Sequence, residues 1–151
     1  MTTLTTWLNG STTAGIHPAH RRSPYLVEVV VSAADQSIAT SDVVQCINVP
    51  AETIVLFAGV EVLTVSNKVC TADLGTSDDD DEWVNDADMA ATGHKTIITS
   101  GTTAYVPTME TSAETIDLTF TVTSGPMTVG IFRVYALMVD ISGVRETSAV
   151  A

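Results

Sequence analysis

Three groups of side chains in this 151-residue chain are of types that do chemistry elsewhere. The first is a run of acids, Asp78, Asp79, Asp80, Asp81 and Glu82, followed by Asp86 and Asp88. Such a run offers the hard oxygen donors that calcium takes. Its spacing departs from that of an EF-hand: counted from Asp78, the glycine and glutamate of that loop fall on Trp83 and Met89. The run reads as a solvated acidic loop pinned by Trp83, Val84 and Met89, with no metal and no cofactor. The second group is histidine. His17 and His20 have HxxH spacing, but Pro18 lies between them and no glutamate follows, which removes the helical zinc-protease geometry. His94 stands beside Gly93 and Lys95 with no nucleophile or carboxylate placed for it. The third group is Cys46 and Cys70, 24 residues apart and without CxxC spacing, read as free buried thiols. There is no G-x-S-x-G elbow, P-loop or dinucleotide fingerprint. The chain is not expected to be an enzyme.

The elements that must hold these groups follow from composition and pattern. Threonine (24) and valine (20) are the commonest residues, both β-branched and suited to a pleated surface. A chain of this length buries roughly 68–70% of its extended surface, enough for a core without staples. Six Lys and Arg residues against eighteen Asp and Glu give a net charge of −12, which repels a phosphate backbone. No direct nucleic-acid partner is expected. The longest apolar segment, Met127 to Ile141, contains Arg133 and falls short of the ~20 residues of a membrane span, so no membrane partner is expected either. Met1 to Trp7 lacks the basic start and apolar core of a secretory signal.

Along the chain, residues 1–24 are rich in Thr, Ser, Gly and Pro, sustain no period, and read as an extended N-terminal arm. Trp7, Arg21, Arg22 and Tyr25 are the candidate partner-binding residues, Trp7 by its apolar area and the arginines by their charge. Residues 25–141 read as a single β-sandwich domain and 142–151 as a flexible tail. Strands are expected at Tyr25 to Val31 and at Val43 to Val49, the second stopped by Pro50, which cannot donate to a ladder. Thr53 to Val65, apolar on both faces, reads as two short strands or one strand bent near Ala58-Gly59 to serve two sheets. In Val69 to Leu74, Cys70, Ala72 and Leu74 face inward. Asp86 to Thr92, with Asn85 or Asp86 as cap and Gly93 at its end, is the one short helix expected. Ile97-Ile98 and Ala104-Tyr105-Val106 read as short strands. Thr115 to Thr123 alternates completely, with Ile116, Leu118, Phe120 and Val122 on one face. In Met127 to Ile141, Val129, Ile131, Arg133, Tyr135, Leu137 and Val139 share a register. About eight strands with turns between them give an all-β, β-sandwich or jelly-roll-like fold.

The succession Asp42 to Val62, then Ala72-Asp73-Leu74-Gly75, then the Asp-rich run with Trp83 to Asp88 and Ala91-Thr92-Gly93, resembles small virion proteins of tailed bacteriophages. Members of that group include capsid decoration, or cement, proteins. The resemblance covers about a third of the chain and departs at Glu52, where a turn glycine is expected. It implies a protein made in the bacterial host cytoplasm and bound to the outer surface of a phage head. Its partner would be the major capsid protein, and it would be a homo-oligomer, with a trimer favoured. Two alternatives stand beside it: a carbohydrate- or host-surface-binding jelly roll with the acidic run as a calcium loop, and a tail or neck structural subunit.

Overall fold

The computed structural model describes residues 23–96 and 107–141. Two antiparallel sheets face each other. The first has strand order β1 (Tyr25–Ser32), β9 (Ile131–Asp140), β3 (Thr53–Thr64), β6 (Gly93–Lys95), with β7 (Thr108–Glu110) pairing the other half of β3. The second has order β2 (Val43–Val49), β8 (Glu114–Val122), β4 (Cys70–Gly75), β5 (Val84–Asp88). The nine strands make the β-sandwich expected from the pattern, and no helix occurs among the described residues.

The central strands of the two sheets, β8 and β9, set the core. Alternation along β8 turns Ile116, Leu118, Phe120 and Val122 inward, and alternation along β9 turns Phe132, Val134, Ala136 and Met138 toward them. Phe120 and Phe132 meet across the interface at a ring-centroid distance of 5.7 Å, within the range of favourable tilted aromatic pairs. The face of β9 carrying Arg133, Tyr135 and Leu137 is the outer one. Beyond the end of β8, Ser124, Gly125 and Gly130 take positive φ where the chain crosses from one sheet to the other. Ile38 and Met127 exchange backbone hydrogen bonds of 3.0 and 2.7 Å and close that end.

Two expectations are corrected. The helix expected over Asp86 to Thr92 is absent: Val84–Asp88 is strand β5, because Val84 and Ala87 gain burial by pairing with Leu74 and Ala72. Local capping is outweighed by that tertiary pairing, and Gly93, φ 112°, opens β6 instead of closing a helix. The second correction concerns β3, which is one twelve-residue strand within one sheet. It absorbs its length with irregularities between Val55 and Phe57 and between Val62 and Thr64, and its free side is shared by β7 and β6. The strands expected at Ile97-Ile98 and Ala104 to Val106 lie outside the described residues.

Other readings hold. Cys70, Ala72 and Leu74 are buried, Pro50 ends β2, and Glu52 in the following turn has φ 61°, the left-handed region that favours glycine. Cys46 and Cys70 are free thiols. β8 stands between their strands, and two inter-strand spacings, about 9.5 Å, exceed the Cα separation a disulfide spans. Burial pushes the Cys46 thiol up to about 12 and the Cys70 thiol up to about 11. Gly75 ends β4 with the acidic loop laid directly on it: a Cβ there would stand 2.0 Å from the Asp79 carbonyl oxygen. Gly75→Ala is therefore expected to destabilise the fold by about 1–3 kcal/mol, the range for forced overpacking, measured by urea denaturation; an unchanged midpoint would show that the loop lifts at no cost.

Candidate interaction surface

The outer face of the first sheet carries a cluster that antiparallel register assembles from four strands. Residues opposite each other share a face. Glu28 lies opposite Tyr135, Val30 opposite Arg133, Arg133 opposite Glu61, and Glu61 opposite His94. The Arg133 guanidinium is 3.3 Å from Glu61 Oε2 and 3.9 Å from Glu28 Oε2, the second too long for a hydrogen bond. His94 Nε2 is 3.6 Å from Glu61 Oε1, and His94 Nδ1 is 3.5 Å from the Tyr135 hydroxyl. The Tyr135 ring covers Gly59, where a Cβ would come within 2.7 Å of its hydroxyl, and packs 6.0 Å from both Phe57 and His94. Burial, then the charge of Glu61, raises the Tyr135 hydroxyl above the ordinary tyrosine value.

Around this cluster lie Leu26, 63% exposed, Val30, 54%, and the exposed Leu63 and Met109. An aromatic ring and an arginine set among apolar side chains is a composition found at protein interfaces. Sequence reasoning did not single out Glu61, His94, Arg133 or Tyr135 as a site. The available signal was a charge placed within each apolar strand, Glu28, Glu61 and Arg133; their mutual proximity depends on register.

Of the expected partner-binding residues, Trp7, Arg21 and Arg22 lie outside the described residues. Tyr25 opens β1, 36% exposed, beside a cleft of about 420 Å³ lined by Ser23, Pro24, Tyr25 and Asp140. Its hydroxyl is raised by burial and then by the Asp140 charge.

One end of the sandwich is an acidic pole. It gathers Glu52 from the β2–β3 turn, Asp78 to Glu82 from the β4–β5 loop, Glu110 and Glu114 from the ends of β7 and β8, and Asp140 from the end of β9. Trp83, 1% exposed, anchors the loop, and its backbone N–H donates to the Leu74 carbonyl at 2.9 Å. Thr76 N–H donates to the Asp79 carbonyl at 2.8 Å, Asn85 donates to Asp81, and the Thr108 hydroxyl donates to Glu82. The carboxylates of Asp79, Asp80 and Asp81 come within 4.8 Å of one another. Bound mono- or bidentately, three carboxylates supply three to six of the six to eight oxygens that calcium takes, leaving the rest to water.

This crowding holds carboxyl groups above their ordinary values. Glu82 is raised by burial and by Glu110 and Asp79 against the Thr108 hydrogen bond; Glu110 is raised by burial, Glu114 and Asp78. Asp73 is raised by burial and by Asp86, Asp80 and Asp81, although it accepts the Asp86 N–H at 2.5 Å. Buried Asp117, at the centre of β8, is raised by burial and by Glu114 against a hydrogen bond from Thr115. A folded chain with raised carboxyl groups binds protons that the unfolded chain does not, so stability rises as pH falls. The melting temperature is expected to rise between pH 7 and pH ~4.5, levelling near the unfolded values of ~4; a fall across that window would show that lost ion pairs outweigh the relieved repulsion.

No family model and no curated protein matches the chain. Two solved structures share its fold. A chain of the acidic stable capsid structure of Helicobacter pylori bacteriophage KHP30 is 13% identical at a TM-score of 0.50, over 77% of this chain and 86% of that one. A chain of the cyanophage Pam1 capsid asymmetric unit is 17% identical at a TM-score of 0.55, over 78% of this chain and 84% of that one. Both structural neighbours are thus phage capsid structures, and at these identities the likeness is one of fold.

Proposed function

We propose that the protein is a structural component of a phage virion, and within that class a decoration protein. It would bind the outer surface of the head and clamp neighbouring subunits of the major capsid protein. The observation that carries this reading is the shared fold, which extends over 84–86% of chains from two phage capsids of different hosts. Charge supports the outer position. A body with this excess of carboxylates is repelled by packaged nucleic acid and tolerates the solvent side of a shell. The amphipathic outer face of the first sheet supports a binding role, since its exposed apolar side chains surround an aromatic and an arginine instead of being scattered singly. In this reading there is no catalysis, and the carboxylates are gathered at one pole by sheet topology.

The test is to mix purified protein with expanded heads that lack it. Co-sedimentation, added density on the outer shell surface and greater resistance of the heads to heat are expected. Protein that stays in the supernatant, or that binds only tails, would overturn the decoration reading. The proximity of Asp79, Asp80 and Asp81 keeps the calcium-loop alternative open to test. An unchanged melting temperature in millimolar calcium is expected; a rise of several degrees, as saturating binding to the folded state produces, would favour that alternative.

A further inference from the structure

Each edge of a sheet is a template for another strand, and proteins blunt such edges by shortness, bulges or charge. Three edges here follow that rule. β6 and β7, which share one edge, have three residues each. β2 is broken in register between Gln45 and Ile47. β5 carries Asp86 at φ 48° and the charges of Asp86 and Asp88, and its pairing is irregular. β1 is the least protected of the four, its one such device being the charge of Glu28. It is eight residues long, runs in unbroken register with β9, and contains no proline and no lysine. Among the described residues β9 is its one strand partner. Every second residue of β1 therefore turns its N–H and C=O away from the sheet. The strand is apolar on its inner face and mostly so on its outer one, with Leu26 and Val30 exposed on either side of Glu28 and Val27 and Val29 against the core.

The chain itself contains a segment suited to this edge. Residues 1–22, which precede β1 directly, contain no Asp or Glu and hold two of the six Lys and Arg residues. All but one of the eighteen carboxylates are in the described body, the exception being Glu146. Within that segment, Thr2 to Leu8 has four β-branched threonines and apolar residues of both parities, Leu4 and Leu8 on one side and Trp7 on the other. That matches a template largely apolar on both faces. The stretch next to β1 is unsuited, since Pro18 and Pro24 lack the N–H that a hairpin with β1 would need. The sixteen residues from Asn9 to Pro24 reach roughly 50 Å when extended, far enough to meet a neighbouring molecule. They start from the acidic pole, beside Asp140.

We propose that residues 2–8 of one copy add as an extra strand to the free edge of β1 in a second copy. Main-chain hydrogen bonds supply the pairing, and Trp7, Leu4 and Leu8 cover the apolar faces. Reciprocal exchange around a closed ring makes every such contact at once and leaves no β1 edge open. The charge difference between arm and body favours the encounter. This inference concerns self-association in solution and does not depend on the capsid reading.

The test uses full-length chains. Two variants, Thr5→Cys and Val30→Cys, are co-expressed with different tags and treated with a short bismaleimide, and the linked peptides are identified by mass spectrometry. Cross-links between the two chains are expected, in about tenfold or greater excess over either variant alone. A third chain carrying both Thr5→Cys and Val30→Cys is treated alongside: links confined within that one chain would show that the arm covers its own β1, and Val30-to-Val30 links would show β1 pairing with β1; either result overturns the proposal. Independently, Leu26→Lys with Val30→Lys, both at exposed positions, is expected to weaken self-association by at least tenfold in sedimentation while cooperative unfolding persists. Trp7→Ala is expected to act in the same direction. A wild-type chain that remains monomeric at all concentrations would also overturn it.

Discussion

The structure depends on the packing of β8 against β9. Each is an interior strand of its sheet: β2 and β4 flank β8, β1 and β3 flank β9, and β5, β6 and β7 are held in turn by β4 and β3. Their inner faces supply Ile116, Leu118, Phe120, Phe132, Val134 and Met138, all essentially removed from water. Burying such side chains is worth about 1.5–3 kcal/mol each before the entropy of ordering is counted. The two strands are consecutive in sequence, joined across one end by 123–130.

The same register that builds the core distributes the charge. Antiparallel pairing brings the end of β9, the start of β3 and β7 to one pole, and the β4–β5 loop folds over Gly75 to join them. Repulsion is tolerated there because the groups are partly exposed, and burial first and then neighbouring carboxylates raise Glu82 and Glu110. On the outer face of the first sheet the register does the opposite. It sets Arg133 between Glu28 and Glu61, so the charges in the middle of that sheet are compensated and the surrounding surface is left apolar. Charge is therefore concentrated at one end of the sandwich, while the outer face of the first sheet is largely apolar around its ion pairs.

Much of the fold was legible where one physical signal dominated. Alternation from Thr115 to Thr123 placed β8 and its inward face, and Pro50 marked the end of β2. The departure at Glu52 from an expected glycine coincides with a left-handed backbone at that residue. Legibility failed where local and tertiary preferences disagreed. Asn85 to Gly93 carries helix-capping residues, yet burial of Val84 and Ala87 against β4 made it strand. The apolar run Thr53 to Val65 cannot reveal from composition whether it serves one sheet or two, since a strand flanked on both sides and a strand that changes sheets have the same pattern.

By itself the sequence determined that the chain is β-rich and acidic, because these follow from residue types and short spacings. It also determined that the Asp78 to Glu82 run is a loop held by Trp83, since a charged run cannot enter a core and an indole can. Only the tertiary structure decided which of the described strands are interior and which lie at the edges, and that Glu28, Glu61, His94, Arg133 and Tyr135 share one face. The reason is that sheet neighbours are fixed by pairing between strands far apart in the chain, so Tyr25–Ser32 becomes an edge strand among the described residues through its register with Ile131–Asp140 and not through anything in its own eight residues.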